Sequence, residues 1–77
     1  MDVTISKKAD MNIYDKAKKY LDNKFPDFNV SLEAENGGDA SVYVYKKDKK
    51  TIRLVNDCFI DAIWIESNFD FEVPNFE

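Results

Sequence analysis

The chain has only two glycines, and they are adjacent, in Asn36-Gly37-Gly38-Asp39. The residues alternate on either side of them. Before the pair, Val30, Leu32 and Ala34 interleave with Ser31, Glu33 and Glu35; after it, Val42 and Val44 interleave with Tyr43 and Tyr45. Alternation of this period belongs to half-buried strands. Glycines flanked by Asn and Asp supply the backbone freedom of a tight hairpin turn. A strand pair over residues 28–35 and 40–46 is therefore predicted, with Val30, Leu32 and Ala34 turned inward.

Two further elements precede this pair. Residues 2–7 alternate Val3 and Ile5 with Thr4 and Ser6, which predicts a short strand. Ile13, Ala17, Tyr20, Leu21 and Phe25 then recur at spacings of three and four, with Lys16, Lys18, Lys19 and Asp22 on the other side. This is the stripe of an amphipathic helix over about residues 11–25, opened by Asp10 as its cap and ended by Pro26.

Residues 49–66 fit two patterns. As a helix capped by Asp48, they gather Ile52, Val55, Phe59, Ala62 and Ile63 on one arc, with Leu54, Cys58 and Ile65 beside it and Arg53, Asp57 and Asp61 outside. Their Thr, Ile, Val, Phe and Trp content instead favours strands. In that alternative, Val42–Lys47 pairs with Lys50–Val55 around Asp48-Lys49, and Ile60–Glu66 pairs with Phe69–Val73. The helix makes one coherent apolar face, so the expected fold is α+β, in the order β-α-β-β-α, over a single domain of residues 1–77. Both helices would cover one face of a three-stranded mixed sheet, whose first two strands are parallel through a right-handed crossover. Phe59 would join the core with Leu21 and Val44. The uncovered face would show Thr4, Ser6, Ser31, Glu33, Tyr43 and Tyr45, and residues 73–77 would form a loose tail.

Composition narrows the chemistry. A chain of 77 residues buries only about 60% of its unfolded surface and has little room for a catalytic cleft. It has no His, a single Cys and no glycine-rich phosphate loop. Cys58 lies between Asp57 and Phe59, with no base beside it to make it a nucleophile, and is expected to be a buried structural residue. Asp57 and Asp61, one helical turn apart, could do acid–base work if buried and are simply solvated if not. No catalytic residue, cofactor or metal ligand is expected, and the chain reads as a non-enzyme. The net charge of −4 and pI near 4.7 disfavour direct contact with nucleic acid or an anionic membrane. Met1-Asp2-Val3-Thr4 shows no basic region followed by an apolar run, so no signal peptide is expected, and no apolar run approaches the roughly 20 residues that cross a bilayer. A reducing, cytoplasmic compartment is the expectation.

The charge is unevenly distributed. Residues 54–77 hold six acids and no base, interleaved with Phe59, Trp64, Phe69, Phe71 and Phe76. Lys46, Lys47, Lys49, Lys50 and Arg53 precede them. On a second helix these charges would oppose the macrodipole, at a cost of about 0.3–1 kcal/mol for each exposed one. Asp57, Asp61, Trp64, Glu66 and Asp70 are the candidate partner-binding residues, an acidic surface around an aromatic anchor for a basic protein. The alternative is an acidic tail that serves solubility, with Trp64 folded down.

The order of these motifs resembles the DinI-like family of small bacterial and phage proteins. Met1-Asp2-Val3-Thr4-Ile5 is similar to that family's first strand. Phe25-Pro26-Asp27 closes the helix, Lys47-Asp48-Lys49 precedes the next element, and Trp64-Ile65-Glu66-Ser67 with Phe69-Asp70-Phe71 is similar to its acidic-aromatic ending. The resemblance implies the β-α-β-β-α fold, binding to the RecA filament and modulation of the SOS response to DNA damage. It places the contact at Asp57, Asp61, Glu66 and Asp70. Ile65 interrupts the Trp-Glu-Ser run, the second helix has fewer acids, and the hairpin is longer. The other readings are a phage-type DNA mimic that inhibits another nucleic-acid enzyme, an enzyme subunit or small hydrolase using Asp57 and Asp61, and a homodimer joined through Trp64 and Phe69. A monomer or weak dimer is expected.

Overall fold

In the computed structural model, which describes residues 1–77, the chain runs β1 (Asp2–Ser6), α1 (Met11–Lys24), β2 (Asn29–Glu35), β3 (Ala40–Lys47), β4 (Lys50–Asp57) and β5 (Ala62–Ser67). The alternation around the glycine pair forms the β2–β3 hairpin, in continuous antiparallel register from Asn29↔Lys46 to Glu35↔Ala40. Asn36, Gly37 and Gly38 make its turn with φ of 55°, 69° and 97°. Glycine adopts such angles freely and Asn at modest cost. The predicted helix is also present: the Asp10 side chain accepts from Asn12 N–H, and Phe25 closes the last turn by donating to the Leu21 carbonyl.

The second helix does not form, so the three-stranded, two-helix fold is corrected to a five-stranded, wholly antiparallel sheet with one long helix. The order is β1-β5-β4-β3-β2. β1 and β2 therefore lie on opposite edges and do not pair, contrary to the expected parallel crossover. Residues 50–57 obey a period of two: Ile52, Leu54 and Asn56 face the helix, while Thr51, Arg53, Val55 and Asp57 face away. Asp48, with φ of 54°, turns the chain between β3 and β4, which pair over eight residues each. β5 then pairs with β4 on one side and β1 on the other. Ladder bonds on both sides of a β-branched segment outweigh the helical arc seen in its sequence. The meander alternative was right about β3–β4; its last pair is absent, because Phe69–Val73 forms no strand.

Directly opposed residues share a face. On the helix side, Tyr14, Ala17 and Leu21 pack with Tyr45, Ile52, Leu54, Ile63 and Ile65, all buried. Tyr43 and Tyr45 thus face the helix rather than water, because Tyr43 opposes Leu54 and Tyr45 opposes Ile52. The C-terminal segment lies along one flank of α1. Phe69 and Phe71 stack with Phe25, the Tyr20 hydroxyl donates to the Glu72 carbonyl, and Phe76 is buried against Tyr20. The other flank has no such cover. Val30 and Leu32 lie on the helix side of β2 as predicted, yet they are 43% and 62% exposed, because the single helix does not reach that edge.

The loop between β4 and β5 overturns two further expectations. Phe59 is 83% exposed, not core, and Cys58 is exposed as well. Both sit in a tight turn closed by Asp61, whose φ is 63° and whose N–H donates to the Asp57 carbonyl.

Candidate protein-binding face

With one helix, the sheet keeps one face uncovered. Reading across the registers, its middle row is Glu33, Val42, Val55, Trp64 and Thr4. The next row is Ser31, Val44, Arg53, Glu66 and Asp2. Ala40, Val42, Val44 and Val55 form a second small apolar cluster, with Trp64 packed on it. These valines are buried although no helix covers them, and the Trp64 ring packs on them.

Arg53 is the centre of the ion pairs on this face. Its Nη2 donates to both carboxylate oxygens of Glu35 at 2.6 Å, and its Nη1 donates to Glu66 Oε1 at 3.0 Å. Glu66 Oε2 in turn accepts from Trp64 Nε1 at 2.6 Å. The indole is thus held by one end of a carboxylate whose other end is held by a guanidinium, a bonded chain that fixes its ring on the face. Asp2, Glu33, Glu35 and Glu66 rim this surface, against the cations Arg53 and Lys46. Two carboxylates engage Arg53, which leaves Asp2 and Glu33 exposed and free of ion pairs. The field over the face is therefore acidic.

The five residues picked out by the sequence do not form one patch. Trp64 and Glu66 are joined on the open face. Asp57 is 1% exposed and works inward, accepting from Asn36 Nδ2 at 3.1 Å and from the backbone N–H groups of Phe59 and Ile60 at 2.9 and 3.0 Å. Asp61 lies in the same loop and accepts from Ala9 N–H at 2.7 Å, tying β5 to the segment before α1. Asp70 is exposed beyond the opposite end of β5. Sequence reasoning missed Arg53, Glu35, Glu33 and Asp2 as parts of the site. Only a strand assignment for residues 50–57 and 62–67 sets Arg53 directly opposite Glu66, the carboxylate that holds Trp64.

The largest concavity lies at the far end of β1, bordered by Thr4, Ser6, Lys7, Lys8, Ile13 and Lys16 with Phe76 and Glu77. No group of three or more Asp, Glu or Cys side chains converges as a metal site. Two phenols are perturbed. Burial, with Tyr43 beside it, pushes Tyr14 up to about 12, and burial together with the bond to Asp22 pushes Tyr45 higher still. Both are core tyrosines whose hydroxyls donate to the Ser41 carbonyl and the Asp22 carboxylate. No helix is long and apolar enough to cross a membrane. Comparison with protein-family models, with curated proteins and with solved structures finds no match to this chain.

Proposed function

We propose that the chain is a small, non-enzymatic binding module that docks its uncovered, acid-rimmed sheet face on a basic protein surface. The observation that carries this reading is Trp64, fixed on that face by Glu66 while Asp2 and Glu33 stand free at its ends. An aromatic anchor held in one orientation loses little entropy on binding, and carboxylates around it steer a cationic partner. A DNA-handling protein, whose basic groove serves an anionic ligand, fits this chemistry. The RecA filament is the candidate offered by the resemblance to DinI-like proteins. The contact implied there ran along a second helix; on this fold the docking surface is the sheet.

The test is binding of the full chain to a RecA–single-strand filament at low and physiological ionic strength, beside an Asp2→Lys, Glu33→Lys variant. Both side chains are exposed, so the fold should persist. Binding that weakens with salt, and weakens again in the variant, supports the reading. No binding by the native chain at low salt removes RecA as the partner. Equal binding by the variant removes the sheet face as the contact.

A further inference from the structure

The two edges of the sheet are built differently. β1 is five residues long, carries Asp2, and has an irregular register between Thr4 and Ser6. Short length, charge and a bulge are the usual ways of blocking an edge. β2 lacks the short length and the bulge, and its two charges, Glu33 and Glu35, both lie on the open face. It is seven residues long, pairs with β3 without a register shift, and contains no Lys or Pro.

The outward backbone groups of β2 can be named. Thr51 directs its N–H and C=O to the β5 side, where both bond Asn68. Alternation along β4 then turns Ile52 and Leu54 toward β3, and the registers carry the alternation to β2. Ser31 and Glu33 bond inward to β3. Val30, Leu32 and Ala34 turn their N–H and C=O groups outward, and their apolar side chains are the exposed ones on the helix side.

We infer that β2 is a self-pairing edge, through which two copies of this chain join antiparallel into one continuous ten-strand sheet. A twofold axis at Leu32 sets Leu32 against its own copy and Val30 against Ala34. All three outward residues then exchange both of their hydrogen bonds, and the two exposed apolar rows merge on the helix side. On the other face this register sets Glu33 opposite Ser31 and Glu35 opposite Asn29, so each carboxylate meets a neutral donor. Centring one residue later would oppose Glu33 to Glu33. Centring one residue earlier would set Glu35 against Asp27 and strand the Ala34 groups. The register that satisfies the backbone is also the one that keeps like charges from facing each other directly.

The experiment is sedimentation velocity on the full chain over a dilution series, with Leu32→Pro and Leu32→Glu variants. Proline removes only an outward N–H, which an edge strand tolerates. Glutamate sets two like charges at the axis and leaves the β2–β3 ladder untouched. The native chain should reach twice its 9.0 kDa mass on concentration, and both variants should stay at 9.0 kDa with unchanged circular dichroism. If Leu32→Pro loses its fold, Leu32→Glu alone decides. A native chain that remains monomeric at the highest concentration overturns the inference, leaving the edge to a different partner. A dimer that survives Leu32→Glu overturns β2 as the interface.

Discussion

Arg53 reaches diagonally across β3 to grip Glu35 with one nitrogen on both carboxylate oxygens, and Val42, which lies between them in the registers, is 0% exposed. A partly exposed ion pair contributes at most about 1 kcal/mol, so the larger effect is the stem of Arg53 lying over apolar surface. Arg53→Ala should lower stability by about 1–2 kcal/mol, and Arg53→Met should recover most of that loss. Urea midpoints of the two variants check this; equal losses would assign the effect to charge.

Phe59 and Leu21 should behave oppositely to what their sizes suggest. Phe59 is 83% exposed, and Phe59→Ala should stay within about 0.5 kcal/mol of the native chain. Leu21 is fully buried between α1, which carries it, and the sheet, and Leu21→Ala should cost about 2–5 kcal/mol, enough to unfold much of so small a domain. Thermal melts separate the two outcomes.

Asp57 orders the turn that displays Phe59 and Ile60. Bonds to a charged group contribute about 1.5–3 kcal/mol, so Asp57→Ala should destabilise by about 2–3 kcal/mol. Its effect on partner binding should follow stability alone, whereas Glu33→Lys should alter binding without altering the melt.

Tyr14 and Tyr45 predict alkaline lability. Their folded pKa values lie above the ordinary value of 10.0, that of Tyr14 at about 12, mainly through burial. Above pH 10 the unfolded chain has lost protons that the folded chain keeps, so stability must fall as pH rises. Over the interval to pH 12, Tyr14 alone accounts for about 2–3 kcal/mol at about 1.4 kcal/mol per unit. Tyr14→Phe should flatten this decline, as read by denaturant titrations at successive pH values.

The elements with one clear period were legible. β1, α1, β2 and β3 each follow a single spacing, and Asp10, Pro26 and the glycine pair mark the breaks between them. Residues 50–67 were misread for a physical reason. Two strands, each with its own alternation, are joined by a turn whose Phe59 and Ile60 are exposed, and Phe59 filled a gap in the helical arc. The β-branched composition of Thr51, Ile52, Val55 and Ile63 was the truer signal. At the candidate site, the Trp64–Glu66 pairing was within reach as neighbours two apart on a strand. The bond from Arg53 to Glu35 joins residues two strands apart, and Asp57 is structural only because its loop folds back over it. Neither relationship leaves a local trace in the sequence.

The open face, the free edge of β2 and the turn at Asp57 all depend on residues 50–67 being a hairpin that also pairs with β1. Nuclear Overhauser contacts measure this most directly. Leu54 and Ile65 oppose each other across β4 and β5, as do Thr4 and Trp64 across β1 and β5, in pairs whose α-carbons approach most closely. Strong contacts between the α-protons of Leu54 and Ile65, and between those of Thr4 and Trp64, are the predicted result. A run of contacts between residues three apart through this segment, with neither cross-strand pair seen, would contradict the fold and everything built on its open face.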